Sequence, residues 1–522
     1  MSELEGKKLD LSQDLSDLEF LRLTKFQGFI YKLIHFFKGI PNGIKKLFIA
    51  LGKLIGRALT AVKNEFTDIF TTFVNGDFKT KLSYLVMGFG SIARGQILRG
   101  ILFLLFEVVF IVYMITAGFH WLGKFRTLGD TGSSMQYDPI LDTYVRVAGD
   151  DSFKILLYGL LTIIFIICFV YTWRLNVKQN KIAEEILKSG KKLKSGKDDL
   201  QSLVDDEFHK TLLALPLTGI MVFTVFPIIF MIFVAFTNYD GAHDGYANLF
   251  TWVGLNNFNS LFNINTGTDN MSVAFGEILS WTLMWAFFAT FTNYFLGMFV
   301  AIMINKKGIK FKKMWRGILV LTSAVPQFVS LLYISKMFAT NGLVNGLLLD
   351  WGIIDNISQY IRFWETKNLA RIMVIIINIW IGIPYLMLIA TGILMNIPAD
   401  LYESAAIDGA NTFQQYTKIT LPYMLFVTGP YLLTSFIGNI NNFNVIFLLT
   451  GGGPKNPALL TSAGSAGDTD LLITWLFNIT TGAESKYYMA SVIGIMIFAV
   501  IASLSLIVYN LIPSTRNEED YS

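Results

Sequence analysis

Three apolar stretches of this sequence each carry neutral polar residues at positions i, i+4 and i+7, the spacing that places residues on one face of an α-helix. The sets are Ser323, Gln327 and Ser330; Asn378, Gly382 and Tyr385; and Ser435, Asn439 and Asn442. Hydroxyl and amide groups hydrogen-bond to sugar hydroxyls, and aromatic rings pack against the C–H faces of sugar rings. The three faces therefore suit an uncharged, polyhydroxylated solute in a wet cavity between helices.

The same polar residues could instead only join helices to each other, a role that is worth about 0.6 kcal/mol per contact on average. For a single Ser, helix contact is the stronger explanation. Asn439 and Asn442 favour the cavity, because two amides close together in an apolar run must both find hydrogen-bond partners. Pro326 and Pro384 each free a backbone carbonyl beside a polar face, and we expect both to bend their helices.

The elements that position these residues are predicted to cross a membrane. The chain has 522 residues, of which 53% are hydrophobic and 15% charged, and its net charge of +4 gives no reason to expect a nucleic-acid partner. A helix needs about 20 apolar residues to span the hydrocarbon core. The sequence predicts an all-α integral membrane protein with about eight transmembrane helices, near 97–119, 153–173, 212–236, 278–304, 314–337, 371–395, 423–449 and 488–512.

The distribution of positive charge predicts the orientation. Eight Lys and Arg residues lie in the loop from Arg174 to Lys197, whereas the loop 237–277 contains none. Positively charged loops stay in the cytoplasm, so the first loop is predicted to be cytoplasmic and the second external. Both termini and the polar segment 396–422 are then cytoplasmic as well.

Within the N-terminal region, residues 1–95, the first 20 residues are expected to be disordered, and residues 21–75 alternate basic and apolar positions at helical spacing. One apolar stripe runs from Phe26 to Phe37, and the pattern repeats from Ile44 to Val62. Such helices lie at the membrane surface or bind a partner, although a basic flank that only fixes orientation is the more common role. Glu107, inside the first predicted span, is expected to face the bundle or lie near a helix end, and no mechanism is assigned to it.

No pattern in the sequence predicts catalysis. The segment from Gly190 to Lys197 superficially resembles a phosphate-binding loop, but its spacing is one residue too long and Asp198 replaces the Ser or Thr that binds magnesium. The four histidines lie in four separate regions, and Cys168 is the only cysteine, so no metal site is predicted. Any energy for transport must come from an ion gradient or from another subunit, and ionisable residues for ion coupling are almost absent from the later spans.

The polar segment between the sixth and seventh spans carries a specific motif. Glu403-Ser404-Ala405 is followed after three residues by Gly409, and after nine more by Ile419-x-Leu421-Pro422. This pattern resembles the EAA motif of membrane subunits of ABC importers, with Ser404 in place of the usual Ala. Over 278–512 the chain is similar to the larger, MalF-type membrane subunits of maltose importers, which also have eight helices. Their large external domain has no counterpart in the short loop 237–277.

The resemblance implies a type I ABC importer permease fold in the cell membrane of a bacterium. It implies a complex with a second, homologous (MalG-like) permease, a cytoplasmic ATPase dimer that binds ATP and magnesium, and an external sugar-binding protein; this chain itself would need no cofactor. It assigns sugar contacts to Asn378, Gly382, Tyr385, Ser435, Asn439, Asn442 and Ser330. It assigns ATPase coupling to Glu403, Ala406, Ile407, Asp408, Gly409 and Ala410, as a short helix, a turn at Gly409 and a second helix.

We therefore predict the permease subunit of an ATP-driven importer of maltose or maltodextrins. A galacto-oligosaccharide importer is the nearest alternative, and a stand-alone secondary sugar carrier is a further one. The predicted regions are the N-terminal region 1–95, three transmembrane helices in 96–240, an external loop 241–277, a permease core 278–512 that contains the coupling loop 396–422, and a cytoplasmic tail 513–522.

Overall fold

The computed structural model describes residues 52–53, 56–57, 59–244, 249–262, 270–306, 308–461, 464–482 and 485–511. The stripe from Phe26 to Phe37, the start of the second basic segment and the tail 513–522 lie outside these residues. The described chain forms two compact units, the first made of residues up to Thr116 with Ile164–Leu212, and the second of Ala117–Ile163 with Leu213 onwards.

The first unit is helical. Its helices, of which α4 and α5 also contribute residues to the second unit, are α1 (59–75), α2 (Phe78–Leu82), α3 (Phe89–Ala93), α4 (Ile97–Phe125), α5 (Ser152–Lys188) and α6 (Gly196–Val204). 

The second unit contains the remaining helices and two short hairpins. The hairpins are β1 (Ser134–Asp138) with β2 (Thr143–Val147), and β3 (Lys455–Thr461) with β4 (Gly464–Gly467), both antiparallel. The helices are α7 (Phe208–Val234), α8 (Asn256–Phe262), α9 (Met271–Asn305), α10 (Lys312–Ala324), α11 (Gln327–Met337), α12 (Leu343–Asp350), α13 (Lys367–Leu394), α14 (Ala399–Ile407), α15 (Thr412–Gln415), α16 (Leu421–Ile440), α17 (Phe443–Thr450), α18 (Leu472–Thr481) and α19 (Tyr487–Leu511).

Seven of the eight predicted spans correspond to helical segments long and apolar enough to cross a membrane, counted over the described residues. The all-α membrane fold is thus confirmed. The span predicted at 314–337 is different, because α10 ends at Ala324 and α11 begins at Gln327. Val325 and Pro326 between them have extended backbone, since Pro lacks the N–H of a helical bond and disfavours helical geometry in the residue before it.

Helix α9 is the central element of the second unit. It packs along α13 and also contacts α16. Small residues permit the close approach to α13: a Cβ built on Gly297 would lie only 2.6 Å from Cβ of Leu386. The hydroxyls of Tyr294 and Thr428 are 2.9 Å apart and join α9 to α16. Small residues and isolated polar contacts are how helices associate in lipid, where the hydrophobic effect does not drive their packing.

Charged residues tie together the starts of α9 and α13 and the segment after β4. Lys367 forms an ion pair with Glu277 and lies 3.5 Å from Asp468. Arg371 donates from Nε to the Asp468 carbonyl at 2.7 Å, and its guanidinium lies over the Trp281 ring. These interactions fix the ends of the helices that carry the polar residues described below.

Candidate functional site

One of the predicted sugar residues of α13, Gly382, contacts a polar residue of α9. Asn378 and Gly382 lie one turn apart on α13, and a Cβ built on Gly382 would be 2.3 Å from Nδ2 of Asn293 on α9. Gly382 is therefore the position at which α13 makes room for a buried amide. Asn293 and Asn378 are 7% and 6% exposed.

Each of these two amides has one buried polar atom without a hydrogen-bond partner in the described chain. The atoms are Oδ1 of Asn293 and Nδ2 of Asn378. An unpaired buried polar group costs roughly 1–3 kcal/mol, so such atoms need a hydrogen-bonding ligand or water. One atom is an acceptor and the other a donor, which matches the two roles of a hydroxyl group.

Asn439 joins the end of α16 to α9. Its side-chain Nδ2 donates to Oγ1 of Thr290 at 2.9 Å, and its backbone carbonyl accepts from Nε1 of Trp285 at 3.1 Å. Asn442 donates from Nδ2 to Oδ1 of Asn439 at 3.4 Å. The structure thus brings Asn439 and Asn442 together, and gives both of them contacts that hold helices in place.

Asn442 also begins a helix. Its Oδ1 accepts from the backbone N–H of Val445 at 3.3 Å, so the side chain is the N-cap of α17. The predicted seventh span is accordingly interrupted at Asn441 and Asn442, and α16 and α17 are separate helices. Asn442 follows the end of α16 instead of standing on the same helical face as Ser435 and Asn439.

The polar face predicted in the fifth span, which contains Ser323, Gln327 and Ser330, also changes. Because the chain leaves the helix at Val325 and Pro326, Ser323 and Ser330 lie on different helices, α10 and α11. Ser330 is half-buried on α11, which packs against α17. Pro384 does not interrupt α13, and is buried within it.

The remaining predicted sugar residues are more accessible. Ser435 is half-buried on α16, and the side chain of Tyr385 on α13 is 59% exposed. Leu331 and Ile377, which are next to Ser330 and Asn378, and Val445, three residues after Asn442, share one core cluster with residues of α9. Parts of the chain that carry these three predicted residues therefore pack together.

The EAA-like segment forms the predicted helix, turn and second helix. Helix α14 ends at Ile407, and Gly409 has a left-handed backbone with φ of +78°. The N–H groups of Gly409 and Ala410 donate to the carbonyls of Ala406 and Ala405 at 3.1 and 2.8 Å. This is a Schellman cap, in which a residue without a Cβ takes the left-handed position.

The surface of this segment is open. Glu403, Ala406, Ile407, Asp408 and Gly409 are exposed, and Ala410 is half-buried. Ile407 is 87% exposed, and two neighbouring apolar side chains that the motif did not single out, Leu401 and Phe413, are exposed as well. Several large apolar side chains exposed near one turn are typical of a protein-binding site.

Comparison with known proteins defines the family. The model of the binding-protein-dependent transport system inner membrane component matches residues 293–517. The maltodextrin transport system permease protein MalC of Streptococcus pneumoniae is 33% identical over 442 residues, which cover 83% of this chain and 95% of MalC. The chain belongs to the binding-protein-dependent permeases of ABC importers.

Two further relatives of this permease differ in coverage. The galactooligosaccharides transport system permease protein GanP of Bacillus subtilis is 32% identical over 83% of this chain and 97% of GanP. The maltose/maltodextrin permease MalF of Salmonella typhimurium is 34% identical over 49% of this chain and 48% of MalF. All predicted sugar and coupling residues lie within 293–517, so they belong to the shared permease domain of a multi-pass membrane protein.

Two polar residues of α9 in this permease, Thr290 and Asn293, were not predicted from the sequence. Thr290 binds Asn439, and Asn293 contacts Gly382. Their signal is the series Thr282, Ala286, Thr290, Asn293 and Gly297, which recurs at helical spacing within an apolar run. The series does not stand out in the sequence because aromatic residues dominate that run.

Two substitutions of Asn442 distinguish the effect of losing the helix cap from the effect of losing the amide donor. Asn442→Leu removes both the cap and the amide, and we expect it to weaken sugar uptake and to lower stability by about 1 kcal/mol. Asn442→Asp keeps a capping oxygen but loses the donor to Asn439, so it should weaken uptake with little change in thermal unfolding. Uptake kinetics and the unfolding midpoint of the purified permease measure the two effects. Normal uptake by both variants would show that Asn442 only supports the fold.

Proposed function

We propose that this permease carries maltose or maltodextrins across the cell membrane by alternating access. The single observation that carries the proposal is that two buried amide atoms, Oδ1 of Asn293 and Nδ2 of Asn378, have no hydrogen-bond partner among the described residues, while the Asn293 amide lies against Gly382. Neutral donors and acceptors in an apolar bundle suit a solute that is rich in hydroxyls and carries no charge.

The residues proposed to line the sugar pathway differ in their packing, since some join helices and others are exposed. Asn439 joins α16 to α9, Asn442 caps α17, and Tyr385 offers an exposed ring on which a sugar ring can pack. Sugar contacts at Ser330, Gly382, Ser435, Asn439 and Asn442 belong to the proposal in the same way. A second, homologous permease supplies the other half of the pathway.

The energy comes from outside this chain. The exposed turn from Glu403 to Ala410, with Ile407 at its tip, docks on a cytoplasmic ATPase dimer that holds ATP and magnesium. Closure of that dimer moves α14, and through it the helices that line the pathway, so that the sugar site opens to one side at a time. An external sugar-binding protein delivers the solute.

The choice of maltodextrin rests on the relatives. MalC of Streptococcus pneumoniae, named as a maltodextrin permease, matches most of this chain. GanP, named as a galactooligosaccharide permease, matches at nearly the same identity. Galacto-oligosaccharides are therefore the second candidate, since amide and hydroxyl groups bind α- and β-linked chains alike.

Uptake of labelled maltotriose and of labelled galactotriose by the native host, with and without this gene, distinguishes the two substrates. We expect gene disruption to abolish maltotriose uptake and complementation to restore it. Purified permease alone in liposomes should neither transport nor exchange the sugar. If gene disruption abolished galactotriose uptake alone, the substrate would be a galacto-oligosaccharide and not a maltodextrin. Sugar exchange by the permease alone would indicate a secondary carrier.

A further inference from the structure

Helix α1 has two distinct faces. One face carries Glu65, Asp68 and the buried Thr72. The other carries five large apolar side chains that are 46–70% exposed, namely Leu59, Val62, Phe66, Phe70 and Phe73. Their spacing of three or four residues forms one continuous stripe along a 17-residue helix, here called the α1 stripe.

Ion pairs set the rotation of α1 on its neighbour, α5. Arg174 contacts Glu65 and Asp68 at 2.6 Å each, and Lys181 contacts Asp68 at 2.6 Å. The hydrogen bond from Lys181, followed by that from Arg174, holds the pKa of the Asp68 carboxyl below its usual value, so that it is ionised at neutral pH. Because the acidic face of α1 contacts α5, the α1 stripe on the opposite side of the helix points away from α5.

Aromatic residues set the position of α1 along α5. The Trp173 ring packs edge-on against Tyr84, which packs in the same way against Phe73 of α1. Nε1 of Trp173 donates to the Tyr84 carbonyl at 3.0 Å, and the Tyr84 hydroxyl donates to the Ile69 carbonyl at 2.8 Å. Trp173 is the last residue of the apolar run of α5, and Arg174 begins its charged part. Trp and Tyr concentrate at this boundary between hydrocarbon and headgroups.

The α1 stripe lies in the same unit as a surface that faces lipid. The first part of α4, a membrane-spanning helix, exposes Ile97, Ile101, Leu102, Leu105 and Val108. In a membrane these side chains of a spanning helix contact the acyl chains. An exposed apolar helix face held at the level of Trp173 meets the same bilayer.

We propose that α1 lies in the plane of the bilayer surface and inserts the α1 stripe among the acyl chains near the headgroups. The lipid surface is preferred over a protein partner because the aromatic contacts place the helix at the end of the apolar run of α5. The inserted helix fixes the depth of the charged end of α5, from Arg174 to Lys181, in the membrane. This anchoring is independent of the sugar that the permease carries.

Fluorescent labels on single cysteines test the orientation in the full-length chain with Cys168→Ser as background. Phe66→Cys and Phe70→Cys report on the α1 stripe, and Thr67→Cys and Thr71→Cys are matched neighbours on the same helix. Leu105→Cys on α4 is the reference for contact with lipid. The labelled chain is placed in vesicles of phosphatidylethanolamine and phosphatidylglycerol with and without doxyl-labelled lipid.

We expect doxyl lipid to quench the labels at 66, 70 and 105 at least about twofold more than those at 67 and 71, because only an inserted face reaches the acyl chains. Equal quenching at 66, 67, 70 and 71 would overturn the proposal. So would stripe labels that doxyl lipid does not quench but that become protected when the ATPase subunits are added, which would identify the stripe as a protein-binding face.

Discussion

Gly382→Ala is expected to reduce sugar uptake by about tenfold or more, as a small-to-large change in a packed interior costs roughly 1–3 kcal/mol. The added Cβ would lie 2.3 Å from Nδ2 and 2.6 Å from Cγ of Asn293. Either the Asn293 amide or α13 must move, and both form the proposed sugar site. The measurement is the rate of labelled maltotriose uptake at several concentrations, with assembly of the complex checked by copurification.

Gly392→Ala is the matched control for this substitution. Gly392 lies on the same helix, α13, but in the part of the chain that the structure describes no atom comes within 4 Å of a Cβ built on it. We expect normal uptake from this variant. Asn293→Ala, which removes the unpaired Oδ1 without adding volume, should lower uptake in an assembled complex. If Gly382→Ala and Asn293→Ala both transport normally, the sugar does not bind at this contact.

Gly409→Val is expected to separate ATP hydrolysis from transport, or to prevent the ATPase from binding. The backbone at this position has φ of +78°, which costs an ordinary residue roughly 1–2 kcal/mol and a β-branched residue more. No atom of the described residues lies within 4 Å of a Cβ built there, so the effect comes from the backbone and not from a clash. The altered cap redirects the chain between α14 and α15, and with it the exposed Ile407.

Gly409→Asn tests whether the left-handed backbone causes the effect, because Asn tolerates the left-handed region better than other non-glycine residues do. We expect the Asn variant to retain most of its uptake and the Val variant to lose at least about tenfold, a difference of roughly 1.4 kcal/mol. Copurification of the ATPase and sugar-stimulated ATP hydrolysis are measured for both. Wild-type coupling in the Val variant would exclude this turn as the docking element.

Much of the fold was predictable from local features of the sequence. Long apolar runs must be helical in lipid, because every backbone group has to find its hydrogen bond within the segment. The cap at Gly409 was predictable for the same local reason, since its conformation depends on the residue itself and on a few neighbours. The helix and turn around Glu403, which we propose as the docking element, were therefore recognisable before any contact was known.

The interruptions were harder to predict. Pro326 and Pro384 gave the same local signal, yet the first separates α10 from α11 and the second lies within an unbroken α13. Asn442 looked like one more polar residue on a helix, whereas its side chain caps α17. Local preference allows a break, but the packing of the surrounding helices decides whether it occurs.

The sequence alone determined the membrane class, the helix-turn-helix of the coupling segment and the neutral chemistry suited to a sugar, because each depends on composition or on residues close in the chain. Only the tertiary structure decided which polar groups meet. Asn293 reaches Gly382 and Thr290 reaches Asn439 across helices that are far apart in sequence. It also decided that two amide atoms have no hydrogen-bond partner among the residues that the structure describes, because the packing of the bundle determines which groups meet.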